Sequence, residues 1–280
     1  MSPLKEPWFF AARDLLCDPQ RAQFLRYMER DPDGVRLFLA DTRGRHGRHF
    51  VLEWDDYLQL FRDARDAIAI GEATADYIWL PSAAEAIRSR VPDARLIFML
   101  RHPAERLFSW YLLALWRHSH LRFDAWFSAA IRPGESYWPV VDGGRYATHL
   151  ARFLALFPRE QVRVYMYDDY HAQARTVLRD IFEFLGVDPN YSTDLSQRTN
   201  ETIVPRFPRV YRLRRRIFKR TPLTHWLPEG ARRAFRRLYD RPRRDFAMNP
   251  EDRRTVIDYY RDEVVRTGDL IGRDLSGWLR

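Results

Sequence analysis

The segment LIFMLRHPAERLFSWY, residues 96–111, decides the fold of this 280-residue chain. Its first five residues form an uninterrupted apolar run, which is typical of a strand buried on both faces in a parallel sheet. Pro103 follows two positions after Arg101 and suits the first turn of a helix, where its missing N–H costs nothing. Apolar residues then recur at helical spacing and give the helix a face that can pack on the sheet, at Leu107, Trp110, Tyr111 and Ala114. The segment therefore predicts a strand, a turn and a covering helix.

Two polar side chains in this segment suggest an anion site. Arg101 falls at the carboxyl end of the predicted strand, where open α/β sheets bind their ligands. Ser109 lies about two turns into the predicted helix, so the two side chains can flank one anionic group. The same two residues could instead cap and line an ordinary strand–helix turn, since short motifs give false positives. The pattern alone leaves both interpretations open.

The rest of the chain alternates between strand and helix patterns. Two further apolar runs, at 67–70 and 162–167, have strand character. Helical patterns lie between and after the runs, at 55–62, 82–90, 104–118, 146–157 and 175–185. This alternation favours an α/β fold with a parallel sheet flanked by helices. We interpret residues 1–280 as a single domain, with an α/β core at 1–199 and a wholly helical, basic part at 200–280.

Composition excludes several classes of protein. The single cysteine, Cys17, excludes an internal disulfide and indicates a reducing compartment. The chain has neither a signal-peptide pattern nor an apolar stretch of the ~20 residues that a membrane-spanning helix needs. No Cys or His spacing is typical of a metal site, so no metal is predicted. These features favour a soluble, cytoplasmic protein.

Positive charge is concentrated in one segment. Residues 206–244 hold fifteen Lys and Arg against two acidic residues, and the remainder of the chain is net negative. Such a block is typical of a surface that faces nucleotide phosphates, an acidic substrate, nucleic acid or an anionic membrane. A solvated helical face is the simpler interpretation. The interleaved aromatic and aliphatic residues favour a docked amphipathic helix with a basic outer face.

Several segments resemble one enzyme family. The pattern R-x-P-x-x-R-x-x-S-x-Y at 101–111 resembles the 3′-phosphate-binding segment of sulfotransferases that use 3′-phosphoadenosine-5′-phosphosulfate (PAPS). Residues 5–10, KEPWFF, resemble the K-E-x-x-F-F segment of the carbohydrate and heparan-type enzymes. Residues 71–77, GEATADY, resemble their G-E-x-T-P-x-Y segment. Three further segments resemble bacterial members in the same order, at 157–162, 182–187 and 272–279. The resemblance implies the P-loop-NTPase-like sulfotransferase fold.

The resemblance also implies a function and a set of site residues. PAPS would be the co-substrate, and a hydroxyl or amine of a small-molecule or carbohydrate acceptor would receive the sulfuryl group. Glu6 matches the family's catalytic base, and Arg101 and Ser109 match its 3′-phosphate ligands. Glu72 would orient or contact the acceptor. A basic loop that closes the cofactor site corresponds to Arg243 and Arg244, although the family's glycine is absent there.

The sequence departs from the family at two places. No segment matches the family's first strand and its 5′-phosphosulfate loop, P-K-x-G-T-T-S-L, and the K-E-x-x-F-F segment already begins at residue 5. We therefore expect the first strand and the P-loop to be missing. Ala73 stands where the heparan-type enzymes have a lysine, which argues against a sulfated glycan as acceptor.

Two other functions stay open at this stage. The chain could be a truncated, inactive relative that binds a nucleotide or a partner. It could also be a basic nucleic-acid-binding protein that acts through residues 206–244, although no specific nucleic-acid partner is predicted. We expect three histidines to line the surface rather than to catalyse: His102, His118 and His120. Arg106 shares a helix face with Ser109, and its alternative partners are Glu105 and solvent.

Overall fold

A computed structural model of the chain describes residues 6–11, 51, 53–64, 66–118, 122–132, 138–193, 195, 203–205, 240–242 and 246–280. The α-helices within these ranges are α1 Trp54–Gln59, α2 Ala83–Arg90, α3 Pro103–His118, α4 Phe123–Ala130, α5 Trp138–Asp142, α6 Tyr146–Leu156, α7 Tyr167–Ala172, α8 Ala174–Leu185 and α9 Pro250–Ile271. The strands are β1 Leu96–Leu100, β2 Val162–Met166, β3 Ile203–Pro205 and β4 Asp240–Pro242. Short 3₁₀ turns lie at Ala75–Ile78, Arg159–Gln161 and Ser276–Leu279.

Within the described residues, the parallel sheet consists of two strands. β1 and β2 run in register from Leu96 opposite Val162 to Leu100 opposite Met166. The chain returns from one strand to the next through helices α3 to α6, because parallel neighbours need a long crossover. The predicted α/β class is confirmed, and so is the strand that was expected at the start of the deciding segment.

One face of the sheet is well covered. Phe98 of β1 packs edge-to-face against Phe153 of α6, with 5.0 Å between the ring centroids. Val162 and Met166 of β2 are buried on this same side, and Leu150 of α6 is fully buried with them. Edge-to-face aromatic pairs add about 0.5–1.5 kcal/mol beyond the burial of their area. Helix α6 therefore forms the layer that supports the strands from this side.

The other face is covered unevenly. Helix α8 lies over β2, where the Arg163 guanidinium sits 4.7 Å from the ring centroid of Phe184. Ile97 and Met99 of β1 point to this face and are 37% and 42% exposed. The prediction of a strand buried on both faces is therefore wrong for this face of β1, because α8 covers the neighbouring strand instead.

Helix α9 is fastened to the core by buried polar contacts. The carboxylate of Glu263 accepts hydrogen bonds from the backbone N–H and the hydroxyl of Thr148, at 3.1 and 2.6 Å. Tyr260 is fully buried and donates its hydroxyl to the carbonyl of Val141 at 2.5 Å. Hydrogen bonds to a charged acceptor stabilise by about 1.5–3 kcal/mol each. The contacts of Glu263 and Tyr260 hold α9 beside α6. In this position the first turn of α9 reaches the end of β1.

The segment after α9 returns to the strand ends. Gly272 ends the helix in the left-handed conformation, at φ 68°, which a glycine adopts without steric cost. Arg273 then forms a two-pronged ion pair with Asp169 of α7. Trp278 is buried, with its ring centroid 5.7 Å from that of His102 and 6.3 Å from that of Tyr146. These contacts place Trp278 directly beneath the turn between β1 and α3.

Two sequence expectations about secondary structure are wrong. Residues 67–70 form no strand, and Ile68 and Ile70 are exposed. Alternation of Ala and Ile predicts a strand only where a partner strand is present, because β preference depends on packing and pairing. The part after residue 200 is not wholly helical, since β3 and β4 pair antiparallel between Ile203 and Pro242. The proposed division at 199/200 stays a prediction.

No helix within the described ranges is long and apolar enough to cross a membrane. Residues 206–239, Arg243 and Arg244 lie outside the described residues, and so do residues 12–50. The predicted basic helix, the predicted cofactor loop and the expected loss of a first strand therefore stay predictions.

Candidate functional site

Arg101 is held at the carboxyl end of β1. Its backbone carbonyl accepts a hydrogen bond from the Tyr146 hydroxyl at 2.8 Å. Its guanidinium carbon lies 5.0 Å from the ring centroid of Tyr167, the first residue after β2. The Arg101 side chain is 28% exposed. The main chain and the cation are thus both fixed, while the guanidinium remains accessible to an anion from solvent.

Arg101, Glu105 and Ser109 lie along one stripe of the strand–helix junction. The guanidinium of Arg101 is 4.0 Å from the carboxylate of Glu105, one turn into α3. Ser109 is half-buried and follows Glu105 by four residues, which places it on the same helix face one turn further along. The structure therefore brings the guanidinium and the hydroxyl that the sequence singled out to the same side of the junction.

Arg253 of α9 completes this cluster. Its Nη1 donates to Oε1 of Glu105 at 2.9 Å, which is closer than the 4.0 Å contact between Glu105 and Arg101. Its Nη2 lies 3.1 Å from Nε2 of His102. Two arginines therefore share one carboxylate, and the charge of the three side chains sums to a positive value. The amino-terminal end of α3 adds the positive end of its dipole at the same place.

His102 is buried, at 6% exposure, so the expectation that it lines the surface is wrong. Its Nδ1 accepts a hydrogen bond from the N–H of Ala104 at 3.2 Å and thereby caps α3. Burial and the nearby charge of Arg253 lower the pKa of His102 to about 4. The imidazole is therefore neutral near pH 7, and it shapes the turn after Arg101 without adding charge.

Arg106 points away from the stripe. Its Nη1 donates to the backbone carbonyl of Val140 at 2.7 Å and so ties α3 to α5. The guanidinium also lies against Gly143, where an added Cβ would come within 2.4 Å of Nη2. Neither Glu105 nor solvent, the two partners considered from the sequence, accounts for this arrangement. Arg106 serves the packing of helices.

A second cluster surrounds the half-buried carboxylate of Glu72. Tyr77 and Tyr57 donate to its Oε1 at 2.9 and 3.2 Å, and Thr74 donates to its Oε2 at 2.8 Å. Burial raises the pKa of Glu72, and the three hydrogen bonds partly offset this effect because they favour the charged form. Burial and the charge of Glu72 raise the pKa of both tyrosines. The phenols therefore stay protonated and act as donors.

The segment 6–11, which carries Glu6, packs against the second cluster. Phe10 donates its backbone N–H to the hydroxyl of Tyr77 at 3.3 Å. Glu6 and Trp8 adopt positive φ angles of 55° and 59°, which non-glycine residues rarely do. Each such residue costs on the order of 1–3 kcal/mol, and it persists only where its surroundings enforce it. The structure thus packs the segment that carries Glu6 against the tyrosines that surround Glu72.

Aromatic contacts help to hold the backbone of this segment in its strained conformation. Phe9 stacks on Tyr57 with 4.7 Å between ring centroids, and Trp54 stacks on Tyr57 at 5.4 Å. Phe10 meets Tyr57 edge-on at 5.2 Å. Such pairs contribute about 0.5–1.5 kcal/mol each. The backbone strain next to Glu6 is therefore balanced by packing of its neighbours.

Some residues of both clusters were missed by the sequence reasoning. Tyr77 stands inside the GEATADY segment, five residues after Glu72, so the motif itself contained the signal. Tyr57 and Arg253 lie far from their partners along the chain, and nothing in the sequence indicates those contacts. Within the described ranges, no group of three or more His, Cys, Asp or Glu residues is arranged to hold a metal ion.

Comparisons with known proteins indicate which family and which fold the chain resembles. The family profile described as "Sulfotransferase domain" matches residues 80–204. The solved structure of a sulfotransferase from Alicyclobacillus acidocaldarius superposes with a TM-score of 0.61 at 24% identity, covering 92% of this chain and 94% of that one. That likeness confirms the fold predicted from the sequence.

Similar curated proteins come from animals. Mouse bifunctional heparan sulfate N-deacetylase/N-sulfotransferase 3 is 25% identical over 261 residues, which is 84% of this chain and 26% of that protein. Mouse bifunctional heparan sulfate N-deacetylase/N-sulfotransferase 4 is 29% identical over 161 residues, 51% of this chain and 17% of that protein. Human carbohydrate sulfotransferase 15 is 26% identical over 161 residues, 44% of this chain and 29% of that protein. The chain spans less than a third of the length of each of these relatives.

Proposed function

We propose that this protein transfers the sulfuryl group of PAPS to a hydroxyl or an amine, because its residues 80–204 match the sulfotransferase-domain profile. The proposed acceptor is a small molecule or a carbohydrate. The observation that carries the proposal is the stripe of Arg101, Glu105 and Ser109 at the carboxyl end of β1. The single cysteine supports a cytoplasmic setting as part of the same proposal.

The residues at the strand end fit a ribose-bound phosphate. Arg101 has a planar, partly exposed guanidinium, which suits two parallel hydrogen bonds to phosphate oxygens. Ser109 adds a hydroxyl from the same side, and the start of α3 favours negative charge. Glu105 would repel a phosphate, but Arg253 neutralises its charge. Arg243 and Arg244 are proposed to reach the same nucleotide from their basic loop.

The second cluster is proposed to handle the acceptor. PAPS supplies an activated sulfuryl group, whose in-line transfer depends mainly on positioning and on stabilisation of charge. The attacking hydroxyl or amine must lose a proton, and a carboxylate within hydrogen-bond reach can take it. We assign this role to Glu6. Glu72 is less suited to it, because three hydroxyls already occupy most of its acceptor positions.

Nucleotide binding tests the proposal. Titration calorimetry with adenosine 3′,5′-bisphosphate should give saturable binding to the wild-type chain, and Arg101→Ala should weaken it by a factor of about 10–100, since a charge-assisted contact contributes about 1.5–3 kcal/mol. Arg163→Ala is the control, because it removes an exposed arginine side chain from the neighbouring strand. Equal affinity of the Arg101 variant and wild type would exclude this phosphate site.

Transfer itself is tested with labelled PAPS and a panel of phenols, amines, monosaccharides and oligosaccharides. Glu6→Gln should abolish the transfer while it leaves nucleotide affinity within about threefold. Nucleotide binding without transfer to any acceptor would instead favour the inactive relative. Binding to nucleic acid with a steep salt dependence, insensitive to Arg101→Ala, would favour the basic nucleic-acid-binding protein.

A further inference from the structure

A chain of hydrogen bonds runs from the carboxylate of Glu72 to the backbone that carries Glu6. The Tyr77 hydroxyl donates to Oε1 of Glu72 at 2.9 Å and accepts the N–H of Phe10 at 3.3 Å. A single phenol oxygen thus joins a buried anion to a main-chain amide. Hydrogen bonds in series strengthen one another, since donation toward an anion makes the phenol oxygen a better acceptor.

The backbone at the receiving end needs this support. Glu6 lies four residues before Phe10, and the positive φ angles of Glu6 and Trp8 hold the segment in a conformation that an unrestrained chain would leave. Trp8 is fully buried, and the carbonyl of Pro7 accepts the N–H of Val51 at 3.0 Å. The direction of the Glu6 side chain therefore depends on how firmly the segment is held, and the hydrogen bond from Phe10 to Tyr77 is one of the contacts that hold it.

We propose that Glu72 positions the base assigned above, Glu6, through the hydrogen bonds made by the Tyr77 hydroxyl. This inference rests on the proposed function, because it gives Glu72 a role in orienting a base. Glu72 does not take up the proton in this scheme. Its charge keeps the Tyr77 phenol oriented, and the phenol fixes the strained turn from which Glu6 reaches the acceptor.

The structure offers a matched pair of variants. Tyr57 and Tyr77 both donate to the same oxygen of Glu72, and both rings pack against Phe10, at centroid distances of 5.2 and 5.7 Å. Only the hydroxyl of Tyr77 also accepts the N–H of Phe10. Tyr77→Phe and Tyr57→Phe therefore remove the same group from the same carboxylate and preserve the ring packing. They differ in whether the connection to the Glu6 segment is cut.

The first measurement does not depend on activity. Hydrogen–deuterium exchange of the full-length protein, resolved at the amide of Phe10, should accelerate about tenfold in Tyr77→Phe because the amide loses its acceptor. The same amide should exchange within about twofold of wild type in Tyr57→Phe. Equal protection in all three proteins would overturn the relay.

The second measurement is kinetic. A displacement of about 1 Å in a catalytic group can cost a hundredfold in rate, so Tyr77→Phe should lower kcat by about 10- to 100-fold with little change in the KM for PAPS. Tyr57→Phe should lower kcat by no more than about threefold. An equal loss in both variants would mean that Glu72 acts as general support, and the proposed route through Tyr77 would be wrong.

The pH profile distinguishes positioning from proton transfer. Glu72→Gln should lower kcat and retain the acidic limb of the kcat/KM profile, because the proton acceptor is a different residue. Loss of that limb in Glu72→Gln, with its retention in Glu6→Gln, would make Glu72 the base and overturn the inference. If the wild-type protein transfers no sulfate while the difference in exchange is present, the proposed function fails and the relay is structural only.

Discussion

Replacing Arg253 should weaken nucleotide binding although Arg253 is not among the proposed phosphate ligands. Arg253→Met keeps much of the side chain's length and removes its charge. The carboxylate of Glu105 then loses its 2.9 Å contact with Nη1 of Arg253. Arg101, whose guanidinium is 4.0 Å from the same carboxylate, is a cation that Glu105 can approach more closely once Arg253 is gone. Glu105 would therefore compete with the nucleotide phosphate for Arg101.

The size of the effect follows from the exposure of the ion pair. The side chains of Arg253 and Glu105 are 31% and 35% exposed, and that of Arg101 is 28% exposed. Pairs of this kind contribute about 0.2–1 kcal/mol. A phosphate must displace the new pair with Glu105, and it also loses one nearby positive charge. A total of about 1 kcal/mol corresponds to an approximately fivefold higher Kd.

Titration calorimetry with adenosine 3′,5′-bisphosphate measures this change, at low and at high salt, because screening reduces effects between partly exposed charges. The double variant Glu105→Gln/Arg253→Met is the control. It removes the competing carboxylate together with its partner and should restore the wild-type affinity or exceed it. An unchanged Kd in Arg253→Met, or no recovery in the double variant, would refute this account of the strand-end charges.

Three further predictions concern stability. Gly144→Ala should lower the free energy of unfolding by about 1–3 kcal/mol, because the new Cβ would lie 2.8 Å from ring atoms of the fully buried Tyr260. Urea titration measures this change, and an unfolding midpoint equal to that of the wild type would contradict this packing. Tyr260→Phe should cost about 1 kcal/mol, because it removes a buried hydrogen bond to the carbonyl of Val141, which keeps the N–H of Gly144 as its other donor. Tyr259→Phe should cost no more than about 0.5 kcal/mol, and equal losses in the two variants would contradict this assignment. The pKa of His102 is lowered from 6.5 to about 4 in the fold, so the unfolded chain binds the extra proton between these values and stability falls as the pH drops from 6.5 to 4. That loss, roughly 3 kcal/mol at most, should be missing in His102→Asn, and identical pH dependence of the two proteins would argue against a depressed pKa.

The regular part of the fold could be predicted from the sequence because its signals are local and repeated. Helix α8 ends at Gly186, whose φ of 74° is the left-handed cap that the sequence indicated. Helix α3 begins at Pro103, and β1 coincides with the five-residue apolar run before it. In each case the apolar period and the terminating residue lie within one segment, so no distant partner is needed to identify the element.

The missed elements depend on partners far away in the chain. Residues 67–70 alternate like a strand, but no ladder forms at them in the described structure. β3 and β4 are three residues long, too short for any period to be visible, and each contains a proline. The burial of His102 depends on Trp278, which lies at the other end of the sequence. Pattern reasoning cannot see such pairings, because they arise only once the chain is folded.

The candidate site divides in the same way. Arg101 and Ser109 were found because one turn and one helix face connect them. The link from Glu72 to Glu6 passes through a backbone amide, which no side-chain motif encodes. Arg253 stands 148 residues after Glu105 and was not singled out. The sequence therefore indicated the groups proposed to touch ligands, whereas the groups that orient them became visible only in the structure.

The placement of Trp278 has a practical consequence for anyone who handles this protein. Its indole underlies His102 and Tyr146, and these two residues shape the turn and hold the carbonyl at the proposed phosphate-binding arginine. A purification tag fused directly after Trp278, or a truncation that removes it, would therefore disturb the residues that hold the proposed phosphate-binding arginine. A flexible spacer should therefore separate any affinity tag from Trp278. If a truncated preparation shows weaker nucleotide binding, loss of Trp278 is the first cause to test.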